Sequence, residues 1–311
     1  MGTMIPSARR RLLSAVLVIA VGSSLAACGS ADASDSSSGT GIEITVGSQG
    51  TTESEILASL YGQVLADRGY TVDYNEGIGA RESFIPALQA GTIDLVPDTA
   101  GELLYGVDAA AFARSSDDIE EALPDALEPL GLFALRLAPA QNADAFVVSA
   151  EYSRDNQVTS IGDLAYQGDS ITIGAGEGFE SRRYGRAGLL SSYRVSGFDF
   201  KQIDDGAGAA TVSELLTGAV QVAVIPSTTP SISRNNLVVL SDPNNLITAE
   251  NVVPVVNGHA NTSDVRRLVD PVSRALTTAE LRDLNERASA SANPAVEAIA
   301  HDWLVRNDFL G

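Results

Sequence analysis

The chain holds one cysteine, two histidines and a single lysine, Lys201, so its reactive side chains can be weighed almost one by one. His259 and His301 neighbour no nucleophile motif, and no G-x-S-x-G sequence occurs. No group of His and Cys has metal-ligand spacing. The best cofactor-like pattern is Gly174-Ala-Gly176-Glu-Gly178 after Ile171 to Ile173. A dinucleotide fingerprint needs glycine where Phe179 stands, and it would set Glu177 and Glu180 against a pyrophosphate. These residues read better as a Gly-rich strand-to-helix turn, and no cofactor or metal is called for.

What remains is a set of turns where strands end and helices begin. They are Gly47-Ser48-Gln49-Gly50-Thr51-Thr52, Pro97-Asp98-Thr99-Ala100-Gly101, Gly174 to Ser181, and Pro226-Ser227-Thr228-Thr229-Pro230. In open parallel sheets, ligands bind beyond the carboxyl ends of the strands, where helix N-termini offer free N–H donors. Two such rims facing each other make a cleft that binds without performing a reaction.

The elements that must carry these turns alternate. Strands are expected at 42–46, 70–74, 93–96 (stopped by Pro97), 131–137, 145–148, 170–174, 198–203 and 220–225 (stopped by Pro226), with extended segments at 237–240 and 252–256. Helices are expected at 52–68, capped by Thr52 with Glu55, and at 81–90, 117–130, 160–166, 182–193, 212–217, 264–276, 278–288 and 294–305. Short links between them argue for parallel sheets covered by helices. The phrase helix-Gly-strand-Pro occurs twice, in Leu88 to Pro97 and Leu215 to Pro226, which suggests two similar lobes.

The first 41 residues read differently. Arg9, Arg10 and Arg11 precede an apolar run of about ten residues and then small residues up to Cys28, the grammar of a secretory signal. The run is too short to span a membrane, which takes roughly 20 apolar residues. Leu25-Ala26-Ala27-Cys28 resembles a bacterial lipobox, in which the cysteine takes a diacylglycerol and the leader is cut before it. Residues 29–41, almost wholly Ser, Gly, Ala, Asp and Thr, are expected to act as a flexible tether. Removing the leader takes the 20 basic residues to 17 against 40 acidic ones. Nucleic acid and anionic lipid surfaces are poor partners for such a chain. With one cysteine there is no internal disulfide, and packing alone must hold an exported domain together.

From about Ile42 to Phe309 the chain resembles the substrate-binding lipoproteins of glycine betaine/choline (osmoprotectant) ABC transporters. The residues that carry this are Val46-Gly-Ser-x-x-x-Thr-Glu53 with Ile56-Leu-x-x-Leu-Tyr61, Ala87-Leu-x-x-Gly-x-Ile-Asp-Leu95 and Leu127-Glu-Pro-Leu-Gly131. Phe179-x-x-Arg182-x-x-Gly185-x-x-Gly-Leu189, Ser227-Thr228 and Leu237-Val-Val-Leu-x-Asp242 complete the order. The resemblance implies a two-lobed α/β periplasmic-binding-protein fold of type II, each lobe a mostly parallel sheet flanked by helices, with a hinge between them. Lobe one is placed at 42–140 plus 248–311 and lobe two at 141–247. It further implies a monomeric, lipid-anchored receptor outside the cytoplasmic membrane that closes on a small solute and delivers it to a permease.

The ligand cage departs from that pattern. The tyrosines expected around a quaternary ammonium are replaced by Thr99, Asp144 and Pro226; the expected lysine is Gln49, and a threonine is replaced by Arg81. A desolvated cation–π contact contributes on the order of 2 kcal/mol, so losing three would cost roughly 6 kcal/mol, about four decades of affinity. Tyr184 or Tyr105 is available to fill part of the gap. Arg81 and Arg182 offer guanidinium forks for a carboxylate, while Glu53, Asp98 and Asp144 offer negative charge. The candidate ligand-binding set is therefore Ser48, Gln49, Thr52, Glu53, Arg81, Asp98, Thr99, Asn142, Asp144, Arg182, Ser227 and Thr228. It suits a polar or zwitterionic solute carrying hydrogen-bond donors, unless several of these charges pair with each other. Two competing readings are an extracytoplasmic hydrolase using Asp98 with Asp144, and a stand-alone surface sensor or adhesin.

Overall fold

The structure, a computed structural model, describes residues 41–311; the expected leader, Cys28 and all of the tether except Gly41 lie outside the described residues. Strands β1 (Glu43–Gly47), β2 (Thr71–Asn75), β3 (Leu95–Thr99) and β4 (Leu132–Ala134) begin one sheet. Strands β5 (Asp144–Val148), β6 (Thr172–Ala175), β7 (Asp199–Gln202), β8 (Val222–Pro226) and β9 (Val238–Val239) form a second. The chain then returns through β10 (Val252–Asn257), and the orders are β2-β1-β3-β10-β4 and β7-β6-β8-β5-β9.

In each sheet one strand runs against both neighbours: β10 against β3 and β4, and β5 against β8 and β9. These are the strands by which the chain enters from the other sheet. Each starts at the carboxyl end of a neighbour, Val252 beside Thr99 and Asp144 beside Pro226, so it can only run back. The two crossing segments also pair with each other. Gln141 bridges Asn251 antiparallel, Asn142 N–H donates to the Glu250 carbonyl at 2.9 Å, and Val252 N–H donates to the Ala140 carbonyl at 2.9 Å.

Helices α1 (Thr52–Asp67), α2 (Arg81–Ala90), α3 (Ala100–Val107) and α4 (Ser116–Leu127) cover the first sheet, joined by α9 (Ser263–Ala275), α10 (Thr278–Ser289) and α11 (Val296–Arg306). The second sheet carries α5 (Ala150–Asn156), α6 (Arg186–Tyr193), α7 (Ala209–Leu216) and α8 (Ser231–Arg234). Strand alternation divides each core in two. Val252 and Val256 face α1, α9 and α11 around buried Trp303, while Val253 and Val255 face Phe84, Ile119 and Leu123. Phe146 and Val148 pack with Phe179 and Leu189, and Ala145 and Val147 with Leu215 and Ile225.

The repeated helix-Gly-strand-Pro phrase falls on β3 and β8, which hold the same place in the two sheet orders. Of the two prolines, only Pro226 ends its strand. Pro97 sits inside β3 opposite Pro254 of β10, and Pro226 is the last residue of β8 opposite Asp144. The Pro97 carbonyl accepts from Gln49 Nε2 at 3.2 Å, on the side where β1 has already ended, so the missing N–H interrupts no ladder. The first helix is capped one residue earlier than expected: Thr51 Oγ1 accepts from Ser54 N–H, and the Ser54 hydroxyl closes the box. Thr277 caps α10 as expected. Helices α3 and α5 were not legible, and α6 begins at Arg186 because a turn of 3-10 helix occupies Phe179–Ser181.

Candidate functional site

The carboxyl end of β3 is held from both sides. Gln49, just past β1, donates from Nε2 to Asp98 Oδ1 at 2.9 Å. Arg81, the first residue of α2, donates from Nε to Asp98 Oδ2 at 2.8 Å and from Nη2 to Oδ1 at 2.7 Å. Its Nη2 also reaches the Thr99 hydroxyl at 3.2 Å, and Nη1 lies 3.4 Å from Glu102. Burial pushes the Asp98 carboxyl above its ordinary value, opposed by Arg81 and Gln49. One of the two expected guanidinium forks is therefore engaged within the protein.

Above this cluster lies a cavity of about 330 Å³ between the two sheets. Thr99 and Glu102 line it from the first lobe, Asn142, Thr248 and Glu250 from the crossing segments, and Asp144, Arg182, Arg183 and Tyr184 from the second. Tyr184 donates its hydroxyl to Asp144 Oδ2, and Arg182 Nη1 lies 3.6 Å from the same carboxylate oxygen. The guanidinium of Arg182 also sits 5.7 Å from the Tyr184 ring centroid. The tyrosine is anchored by edge-on contact with Phe146 at 6.3 Å, in a ring cluster that also includes Phe179. Burial, and then the Asp144 carboxylate that its hydroxyl serves, push the Tyr184 phenol up.

Two glycines make the Arg182 turn possible. A Cβ on Gly185 would stand 2.2 Å from the Phe179 carbonyl, and one on Gly188 would stand 1.8 Å from that of Arg183. The spacing Phe179-x-x-Arg182-x-x-Gly185-x-x-Gly188 thus describes a backbone folded on itself, presenting Arg182, Arg183 and Tyr184 to the cavity.

Thr99, Asn142, Asp144 and Arg182 come together in this cavity, with Gln49, Arg81 and Asp98 supporting it from below. The other candidates face elsewhere. Glu53 accepts from Asn142 Nδ2 at 2.7 Å and from Asn285 Nδ2 at 2.5 Å. Ser48 is buried and its hydroxyl accepts from Gly77 N–H at 3.4 Å; Thr52 is exposed at the start of α1. Ser227 accepts from Ala143 N–H at 3.2 Å and donates to the Gln141 carbonyl at 2.7 Å, while the Thr228 carbonyl accepts from Asn285. Ser227, Gln141 and Ala143 line a second cavity of about 440 Å³, whereas Asn142 lines the first; the crossing segment alternates between the two. Tyr105 lines a separate surface hollow beside Arg81 and Glu82.

Glu250 and Glu102 were missed. Glu250 N–H donates to Gln141 Oε1 at 3.3 Å, and its own Oε2 accepts from Glu102 N–H at 3.0 Å in the first turn of α3. Burial pushes its carboxyl up to about 7. The stretch from Asp242 to Val252 has no periodicity, so no pattern marked this residue; only its pairing opposite Asn142 puts it in the cleft.

Residues 42–306 match the family described as the substrate binding domain of ABC-type glycine betaine transport systems. The chain belongs to this family. A glycine betaine/carnitine/choline ABC transporter structure superposes with a TM-score of 0.78 at 18% identity, covering 87% of this chain and 99% of the other. Apo YehZ from Escherichia coli gives 0.75 at 21% identity, covering 87% and 99%. A choline-binding ABC-transporter protein in complex with choline gives 0.52 at 15%, covering 88% and 90%. At these identities the shared property is the two-lobed α/β fold. Within this substrate-binding family, the present chain places Thr99 and Asp144 on the cavity wall where rings were expected, and Pro226 beside Asp144 in the β5–β8 ladder. Among the residues lining this cavity, Tyr184 is the aromatic one, and its hydroxyl is turned to Asp144.

Proposed function

We propose that this protein is an extracytoplasmic solute receptor of an ABC importer, anchored to the membrane through an acylated Cys28. It captures a small polar or zwitterionic solute between its lobes and delivers it unchanged to the permease. We take lobe one as 42–140 plus 248–311 and lobe two as 141–247, working as a monomer. The observation that carries this reading is the cavity of about 330 Å³, walled by charged side chains from both lobes and by both crossing segments. A solute touching both walls binds the approached lobes better than the separated ones, which is what drives closure.

The hydrolase alternative draws no support from the geometry. Asp98 is bound by Arg81 and Gln49, and Asp144 by Tyr184 and Arg182, so neither is a free base.

Titration of the purified apo domain with glycine betaine, choline, proline betaine and a panel of amino acids, followed by mass spectrometry of the recovered ligand, tests the proposal. Saturable binding with the ligand recovered intact is expected. Recovery of a chemically changed product refutes it. Expressed in a bacterium with the full leader, the wild type is expected to begin at an acylated Cys28 by mass spectrometry, and Cys28→Ala to carry no acyl chain.

A further inference from the structure

Three carboxylates line the cavity, and they are not equivalent. Asp144 has Arg182 at 3.6 Å and Glu102 has Arg81 at 3.4 Å. Among the described residues, Glu250 has no arginine, lysine or histidine nitrogen within the 4.0 Å of an ion pair, although most of its side chain is removed from water. It is also held in place. Glu102 N–H donates to the carboxylate, and the Glu250 backbone is tied to Gln141 and Asn142. Gly101 makes room for it: a Cβ there would stand 2.6 Å from Glu250 Oε1 and 2.5 Å from the Ala249 carbonyl. A rigid, largely desolvated acceptor without a counter-charge is poised for a cation brought by a ligand. The facing wall offers the opposite sign, since Arg182 is more than half exposed and Arg183 stands beside it, its guanidinium on the Thr248 hydroxyl.

We infer that Glu250 is the counter-ion for the positive group of the solute, that Arg182 and Arg183 receive its negative group, and that the preferred solute is a zwitterion whose cationic nitrogen carries hydrogens. A trimethylated nitrogen has no N–H to give a carboxylate and depends on ring faces, whereas Thr99, Asp144 and Glu250 supply acceptors. This assignment rests on the solute-capture reading above and specifies its ligand.

Capture must then displace a proton. Burial leaves the empty-state Glu250 carboxyl partly protonated near neutral pH. Glu102 and Asp144 oppose its ionisation; Arg81, Arg182 and Arg183 favour it; Asp98 is neutralised by Arg81, and Tyr184 stays protonated. A bound ammonium adds the missing positive charge and drives the proton into solvent.

The test is calorimetric titration at pH 7 with the N-methyl series glycine betaine, dimethylglycine, sarcosine and glycine, together with L-proline and L-arginine, in two buffers of different ionisation enthalpy. An N–H-bearing zwitterion is expected to bind at least about tenfold more tightly than glycine betaine, with net proton release. Its affinity should fall up to about tenfold per pH unit below about 7. Glu250→Gln should abolish the proton release and weaken that ligand by about tenfold or more. Tighter binding of glycine betaine, or affinity independent of both pH and the Glu250→Gln change, overturns the assignment but leaves solute capture standing. The wild-type pH profile decides the same question should the variant not fold. If neither this panel nor a broad metabolite panel including neutral and anionic solutes shows any binding, both readings fall.

Discussion

Arg81 grips Asp98 with two parallel hydrogen bonds, Nε to Oδ2 and Nη2 to Oδ1, and the aspartate side chain is 1% exposed. The pair fixes the end of β3, and through the Thr99 hydroxyl it fixes one wall of the cavity. Removing one member leaves the other charged, poorly solvated and unpaired, which typically costs about 3–5 kcal/mol. Asp98→Ala is therefore expected to lower the urea midpoint by an amount in that range. The double change Asp98→Leu with Arg81→Met should cost clearly less than the sum of the single changes. Additive losses in urea titrations would show that the two residues act separately.

Helix α10 clasps the second lobe from the first. Arg282 donates to the Ser227 carbonyl from Nε at 3.1 Å and from Nη2 at 2.8 Å, and Asn285 reaches the Thr228 carbonyl at 3.3 Å. Arg234 of α8 answers with Nη2 to Glu286 at 2.6 Å. Rotation of the lobes away from each other breaks these contacts. A hydrogen bond from a charged donor contributes about 1.5–3 kcal/mol, so Arg282→Ala should weaken solute binding by about tenfold or more. Small-angle X-ray scattering of the unliganded variant should give a larger radius of gyration than the wild type; an unchanged radius contradicts the clasp.

The alternation of strand and helix was legible because β1, β3, β6 and β8 are short alternating or apolar segments with Gly or Pro at their ends, signals that act over a few residues. Thr99 was legible for the same reason, as the polar residue that ends a strand, whereas Asn142, Asp144 and Arg182 were legible only through the motifs that carry the family resemblance. Three features were not. The pairing of Arg81 with Asp98 spans 17 positions and depends on α2 meeting the end of β3. Ser227 stands at a strand end like Thr99, yet its hydroxyl bonds to the crossing segment, and sequence does not say which side of that ribbon it faces. Glu250 lies in a stretch without periodicity, and its position follows from the pairing of two segments more than a hundred residues apart.

Gly101 tests how closely that pairing is fitted. The Cβ of an alanine would meet backbone and side-chain atoms of Thr248, Ala249 and Glu250 at 2.5–2.8 Å. Rigid backbone on one side leaves no easy escape, and overpacking of this kind typically costs about 1–3 kcal/mol. Gly101→Ala is expected to lower thermal stability by that amount and to weaken solute binding, both read from thermal scans with and without ligand. Wild-type stability and affinity in this variant would mean that the second crossing segment moves freely.

Trp303 closes the core of the first lobe. It is fully buried in α11, stacks on Phe309 at 5.8 Å with 20° between the rings, and donates Nε1 to Glu280 of α10 at 2.5 Å. Trp303→Ala should cost about 3–5 kcal/mol, since the helices packed around it can collapse only partly into the space left behind. Trp303→Phe should keep most of the packing and lose mainly the hydrogen bond, about 1–2 kcal/mol. Guanidinium titrations followed by circular dichroism check both, because the chain has no second tryptophan to report.

The stability of the empty protein should carry the signature of Glu250. Its carboxyl is raised from the ordinary 4.5 to about 7, chiefly by burial. Between those values the folded state holds a proton that the unfolded chain has given up, so the number of bound protons is greater in the native state. Stability from this group is fully present below pH 4.5 and is lost as pH rises through about 7, an upper bound of about 3 kcal/mol at 1.36 kcal/mol per unit. Glu250→Gln, which cannot titrate, should remove that slope. The expected result is a gain in variant stability relative to wild type on going from pH 5 to pH 8, measured by urea unfolding at each pH. A difference that stays constant across this range would show that the Glu250 carboxylate is already ionised in the folded protein at pH 5.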